Sequence, residues 1–249
     1  MPKFFITDYD LSPGNDAYIF GDDARHLRKV LRIKTEEKIL VCDGKGSDFT
    51  AIVKKTDNDS VLVKIDESIP GNNEPNLNIN LFIALTKGEG FEYAIQKCVE
   101  AGVSNIQPMI TERTIVDIPT AKIDRKAERW NKISESAAKQ SGRSKIPLVS
   151  YPIRFSEALK KPKGAEPSII CYVNEGTLSL KEYLNAHPNA EVLNVFIGPE
   201  GGFTEMEWEM AKLAGLSSIS LGKRILKAET AGFFVTVAAM YEYGELDKK

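Results

Sequence analysis

The stretch VLNVFIGPEGGFTEMEWEMAK, residues 192–212, decides the class of the fold. Val192, Leu193, Val195, Phe196 and Ile197 form a compact run of β-branched, aromatic and aliphatic side chains, the mark of a buried strand. Pro199, Gly201 and Gly202 end it. Thr204 followed three positions later by Glu207 is a capping box, in which the hydroxyl and the carboxylate each satisfy an amide left unpaired at a helix start. The order is therefore strand, glycine loop, helix. Nucleotide-binding loops share that context, yet no Lys follows these glycines as in a phosphate-wrapping loop, and the dinucleotide pattern G-x-G-x-x-G is missing. A phosphate ligand is not implied. The segment alone fits a tight ligand-free connection as well as a ligand cradle, because glycine serves turns generally.

Downstream, SSISLGKRILKAETAGFFVTVAAMYEYG repeats the arrangement: a strand ending at Leu221, a loop over 222–227, and a helix from Ala228. Phe233, Phe234, Val237, Met240 and Tyr241 have mostly the spacing of a helix core face. Loops at the carboxyl ends of parallel strands share one edge, so 198–202 and 222–227 can line one pocket. Upstream, strands and helices alternate: INLFIAL, a helix near 89–101 closed by Gly102, NIQPMI, a basic helix, PLVSY, a short helix near 155–161, SIICYV, and a helix near 179–186. Phe91, Ile95 and Cys98 share a face of the first of these helices. Such alternation predicts an α/β domain with a largely parallel sheet.

Residues 1–70 read differently, as short strands: KFFITDY, AYIF, EKILVCDG, DFTAIVKKT and DSVLVKID. Val61, Val63 and Ile65 alternate with Leu62 and Lys64, as in a strand with one buried face. A small β-barrel-like domain is expected. DARHLRKVLRIK interrupts the strands with a predicted helix, Asp23 as its cap and Leu27, Val30 and Leu31 at helical spacing. Its polar side carries Arg25, His26, Arg28, Lys29 and Arg32, a solvated face or a knob suited to RNA phosphates. SIPGNNEPNLN, residues 68–78, has the Pro, Gly and Asn content of a linker, so the expected domains are 1–70 and 71–249.

With 249 residues, 42% of them hydrophobic, the chain can bury a sizeable core. No apolar signal core or membrane-length apolar span occurs, and a cytoplasmic location with no membrane partner is expected. Cys42, Cys98 and Cys171 are odd in number and far apart, which reads as buried thiols. Two histidines, His26 and His187, cannot assemble a multi-histidine metal centre, so no metal is expected. The net charge of −2 does not advertise nucleic acid. Locally, though, residues 120–146 hold eight Lys or Arg against three acids. Arg125, Arg129, Lys132, Lys139 and Arg143 fall along one helical stripe beside an apolar stripe of Trp130, Ile133 and Ala137. That stripe is a solvated face or a phosphate-backbone contact.

Taken together, IGPEGGFTEMEWE, LGKRILKAETA, AAKQSGRSKIP, KGEGFEYAIQKCVEAGV and HLRKVLRI resemble the ribosomal RNA small-subunit methyltransferase E family, uridine-N3 methyltransferases of the SPOUT superfamily. The resemblance spans almost the whole chain, and the pairing of GPEGG with LG-x-R-[IV]-L-[RK]-x-ETA about twenty residues later is its most specific part. It implies a small PUA-like β-barrel followed by an α/β domain with a trefoil knot, which nothing in spacing or composition shows. It also implies a homodimer acting on ribosomal RNA or the small ribosomal subunit.

By the same resemblance, S-adenosylmethionine lies against Gly198, Pro199, Glu200, Gly201, Gly202, Leu221, Gly222, Ile225, Leu226, Thr230 and Ala231. That cofactor carries no phosphate, which agrees with the missing loop lysine. Deprotonated uracil N3 needs a nearby cation, for which Arg143, Arg224 and Lys227 are candidates. Glu229 or Glu200 is a candidate proton acceptor, with a structural role the first reading for Glu200. Arg25, His26, Arg28, Lys29, Arg32, Arg125, Arg129, Lys132 and Lys227 are the candidate RNA contacts. Two positions depart from the family pattern: Lys227 replaces a common Arg, losing its planar fork, and Gly90 replaces a common basic residue. The competing expectations are a related enzyme acting on transfer RNA or ribose 2′-hydroxyls, and a non-catalytic RNA-binding assembly factor.

Overall fold

A computed structural model of the chain describes residues 3–70, 73–116, 119–172 and 177–247, apart from the side chain of Thr120. Two compact units emerge, Met1–Glu74 with Ala138–Ile146, and Pro75–Ala137 with Pro147–Lys249. The first runs past the expected boundary at residue 70 and recruits 138–146 from within the block assigned by sequence to the second.

The first unit is a five-stranded sheet of β1 (Lys3–Phe5), β2 (Asp16–Phe20), β3 (Lys38–Cys42), β4 (Asp48–Thr56) and β5 (Ser60–Ile69). Its order is β1-β3-β4-β5-β2, parallel at β1–β3 and antiparallel elsewhere. The expected alternation holds: Val61, Val63 and Ile65 face a core shared with Phe4, Ala17, Ile19, Val41 and Val53. All five strands feed this one cluster.

The predicted helix over 23–34 is shorter than expected. α1 (Gly21–Arg25) passes into a π-type turn over His26–Val30, closed by Leu31 N–H donating to the His26 carbonyl at 3.1 Å. The wider turn rotates later residues out of register. Leu27 is fully buried, whereas Val30 and Leu31 are 65% and 39% exposed. Asp23 is not the cap, a position taken by Phe20. Its carboxylate instead pairs with Lys139 at 2.6 Å.

Residues 142–146 complete this unit by lying along the β3–β4 turn. Gly46 N–H donates to the Ser144 carbonyl at 3.1 Å and Ile146 N–H to that of Gly44 at 3.0 Å. Side chains reinforce the seam. Half-buried Lys3 and buried Asp48 pair at 2.7 Å, and Ser144 Oγ donates to the same carboxylate oxygen at 2.8 Å. Arg143 pairs with Glu74 at 2.7 Å, and Glu74 Oε1 accepts from the amides of Ser144 and Lys145 at 2.8 and 3.0 Å. Burial pushes the Glu74 carboxyl up, but the hydrogen bond and charge of Arg143, with those two amides, outweigh it and hold the group below its ordinary value.

The second unit contains, in order, β6 (Asn78–Ala84), α2 (Gly90–Glu100), β7 (Asn105–Ile110), α3 (Thr120–Gln140), β8 (Leu148–Val149), β9 (Ile153–Arg154) and α4 (Phe155–Ala158). It continues with β10 (Ser168–Cys171), β11 (Leu178–Ser179), α5 (Leu180–Ala186), β12 (Val192–Ile197), α6 (Glu205–Leu213), β13 (Ser217–Ser220) and α7 (Ala228–Glu242). The sheet order is β11-β13-β10-β12-β6-β7-β8, with β9 also pairing β7. Every pairing is parallel, as the alternation predicted.

Register is pinned by a row of asparagines: Asn105 donates to Asn80 at 3.0 Å, and Asn80 to Asn194 at 2.9 Å. Phe82 and Phe196 stack at 4.3 Å between ring centres, and Phe155 meets Phe196 edge-on. Cys98 is fully buried, and burial pushes its thiol up to about 12, in keeping with a packing role. The trefoil knot implied by the resemblance is not traced among the described residues, because residues 173–176, on the connection after β10, lie outside them.

One expectation fails in α7. Val235, Ala239 and Met240 are buried, but Phe233, Phe234 and Tyr241 are 37%, 42% and 73% exposed. Between Ala231 and Tyr241 the helix is apolar but for Thr236, so spacing alone did not tell its packed face from the other.

Candidate functional site

β13, β10 and β12 are adjacent and parallel, so their carboxyl ends open onto one edge of the sheet. The loops leaving β12 and β13 enclose a cavity of about 590 Å³ there, a volume suited to a cofactor-sized ligand. Gly198, Pro199, Glu200, Gly202, Leu221, Gly222, Ile225, Leu226 and Ala231 line it, nine of the eleven residues expected from sequence. Gly201 does not: its open side is turned to Arg113, whose Nη1 donates to the Gly201 carbonyl at 2.8 Å. Thr230 is exposed and also off the cavity wall. Cys171, Ile197, Ile219 and Ala228 also line it. Burial pushes the Cys171 thiol up to about 12, so it remains protonated and acts as wall.

The glycines are needed for stated reasons. Gly222 has φ +101° and faces open space, so the backbone conformation demands it. A Cβ on Gly198 would stand 3.1 Å from the Phe203 ring and 3.2 Å from its backbone nitrogen.

The loop after β12 is anchored from its far side. Thr204 Oγ1 accepts from the Glu207 amide at 3.2 Å and Glu207 Oε2 from the Thr204 amide at 2.9 Å, the capping box read from sequence. Glu207, itself buried, also accepts the Glu112 amide on Oε1 at 2.8 Å. Arg113 and Glu112, on the loop after β7, were missed by sequence reasoning, since their partners lie about ninety residues away. Glu200 Oε1 accepts the Lys87 amide at 3.0 Å, the structural role preferred for it.

Of the candidate catalytic residues, Arg224, Lys227 and Glu200 line the cavity, with Lys223 beside them, all four exposed. Glu229 is turned toward Gly90, its carboxylate 3.4 Å from where a Cβ on that glycine would be. The same Cβ would meet Thr86 Oγ1 at 2.8 Å, so a side chain at this position would require Thr86 to shift. Arg143 is buried in the first unit against Glu74 and does not line the cavity.

An RNA methyltransferase domain family matches residues 73–240, and an RNA methyltransferase PUA domain family matches 20–66. A protein named ribosomal RNA small subunit methyltransferase E from Mesomycoplasma hyopneumoniae is 35% identical over 94% of this chain and 97% of its own length. The chain belongs to this methyltransferase E family. A Bacillus subtilis member is 28% identical over 97% of both chains. Among solved structures, the family member from Neisseria gonorrhoeae bound to S-adenosyl methionine is 34% identical, with a TM-score of 0.87 over 99% of this chain and all of the other. A putative methyltransferase from Legionella pneumophila, also holding that cofactor, has a TM-score of 0.85 at 28% identity over 96% of both.

The basic surfaces of this family member are partly neutralised by its own acids. On α3, Arg129 pairs with Glu92 at 2.6 Å and Lys132 with Glu128 at 2.7 Å, and Lys139 is held by Asp23. Arg125 has no ion pair among the described residues. The buried stripe comprises Ala127, Trp130, Ser134 and Ala137, with Ile133 only half-buried. In the first unit Arg25 pairs with Asp22, and Arg28 donates to the Asp57 carbonyl at 3.1 Å and Asn58 Oδ1 at 2.8 Å. His26, Lys29 and Arg32 are exposed. Among the described residues no cluster of His, Cys, Asp or Glu could hold a metal, and no helix is long and apolar enough to cross a membrane.

Proposed function

We propose that this protein transfers a methyl group from S-adenosylmethionine to N3 of a uracil in small-subunit ribosomal RNA. The carrying observation is the cavity itself: two glycine-bearing loops on one sheet edge, apolar walls, and cations only at the mouth. The walls fit the cofactor. Leu221, Leu226, Ile197 and Ala231 suit an adenosine, and the bare backbone at Gly198 and Gly222 admits close approach. Bound there, the cofactor supplies an electrophilic methyl group. Arg224, permanently charged, stabilises the uracil anion that forms when N3 loses its proton. Because the Glu200 carboxylate is committed to the Lys87 amide, that proton passes to solvent at the mouth. Lys227 holds an adjacent phosphate, and the target base leaves its stack to reach the site.

The exposed face of α7, with Phe233, Phe234 and Tyr241 at helical spacing, supports a homodimer that covers it. A ribosomal RNA substrate supports a cytoplasmic location. The test is calorimetry with S-adenosylmethionine followed by mass analysis of nucleosides from treated small-subunit RNA. New 3-methyluridine is expected; a protein that binds no cofactor, or yields a 2′-O-methylated nucleoside, refutes the reading.

A further inference from the structure

β2 is an edge strand of the first unit, and its two faces differ sharply. Ala17 and Ile19 point into the core, at 0% and 3% exposure, while Tyr18 and Phe20 point out at 38% and 58%. Their rings stack on each other, 5.7 Å between centres with planes 16° apart. Tyr9 extends the row, 6.2 Å from Tyr18 and 37% exposed. Three adjacent aromatic side chains on the solvent side of an edge strand are an unusual investment, because edges are ordinarily blunted with charge.

Past Phe20, Asp22 pairs with Arg25 and Asp23 with Lys139, and the run that follows them is positive. Phe20 is the cap residue of α1, and from Arg25 to Lys34 the chain carries five Lys or Arg and no acid. Arg28, bonded to the Asp57 carbonyl and Asn58, fixes this turn beside the β4–β5 connection. A surface that begins with stacked rings and ends in cations matches a polymer of aromatic bases on an anionic backbone. Aromatic platforms beside positive grooves are how single strands are held without sequence preference. A protein strand adding to the β2 edge would use main-chain groups and would gain nothing from the cations.

We propose that Tyr9, Tyr18 and Phe20 form a stacking platform for unpaired bases of the substrate RNA, with the Arg25–Lys34 turn holding the adjoining phosphates. The inference rests on the RNA-methyltransferase reading and adds to it a site outside the cofactor cavity.

The test uses the full chain with a fluorescein-labelled ten-nucleotide oligouridylate, a duplex RNA of equal length, and anisotropy titrations over a range of salt. A Tyr18→Leu/Phe20→Leu variant keeps apolar side chains on the strand but removes the π faces. It should bind the single strand about tenfold more weakly. Its thermal melt, duplex affinity and salt slope should stay as in the wild type, because no charge is lost. Tyr18→Phe/Phe20→Tyr should bind as the wild type does. Equal single-strand affinity in the leucine variant, or a shift of its oligomeric state in sedimentation, would overturn the platform and assign the face to protein contact. If the leucine variant binds unchanged while the protein still forms 3-methyluridine, the platform fails and the proposed activity stands. A wild-type chain that binds neither RNA would overturn both.

Discussion

Glu207 offers a direct measure of how the glycine loop is held. Its two oxygens accept the Thr204 amide at 2.9 Å and the Glu112 amide at 2.8 Å, in a side chain that is 6% exposed. Glu207→Ala removes both acceptors and leaves two half-buried amides without partners. Each hydrogen bond to a charged acceptor contributes about 1–1.5 kcal/mol at partial burial, so the variant should lose about 2–3 kcal/mol. For a chain of this size that is a fall in melting temperature of about 4–12 °C. Glu207→Gln keeps one carbonyl acceptor but turns an amino group toward the other amide, so its loss should lie between those of the wild type and the alanine variant. Scanning calorimetry measures the melts, and titration calorimetry with S-adenosylmethionine should show weaker binding in the same order. Equal melts for the wild type and Glu207→Ala would refute the claim that this carboxylate anchors the loop.

In the first unit, the depressed Glu74 carboxyl contributes stability that is present above its ordinary value of about 4.5 and is lost as pH falls through the lower folded value. Urea titrations should show Glu74→Gln flattening that acid limb, and destabilised at neutral pH because buried Arg143 loses its counter-charge. Gly222→Ala forces a side chain into a left-handed conformation that costs about 1–2 kcal/mol. It should raise the cofactor dissociation constant about tenfold while far-ultraviolet circular dichroism is unchanged. Phe234→Lys places a charge on the exposed face of α7, and under the proposed homodimer sedimentation should show a dimeric wild type and a monomeric variant.

What could be read from the chain followed the range of the interactions involved. The capping box of Thr204 and Glu207 spans three residues, and the alternation of Val61, Val63 and Ile65 is a property of one strand, so both were plain. The two loops were legible as partners because a parallel sheet aligns strand ends. Arg143 was misjudged because its partner, Glu74, lies 69 residues away and no local pattern links them. Val30 and Leu31 share helical spacing with Leu27, which the π-type turn breaks. Phe233, Phe234 and Tyr241 defeat periodicity for another reason: between Ala231 and Tyr241 Thr236 is the one polar residue, so every face has core spacing.

The seam formed by residues 138–146 has a consequence for synthesis. Domains usually fold as they emerge, the first to be made being the first to fold. Here the N-terminal sheet is translated by residue 74, yet the segment that satisfies Asp48 and Glu74 ends at Ile146. At about 5–20 residues per second the ribosome takes about 4–14 s to supply it. Throughout that interval Glu74 lacks Arg143 and Asp48, paired with Lys3, lacks the Ser144 hydroxyl, so completion of the sheet is tied to the elongation of a different unit. A gene truncated at the linker would make that delay permanent.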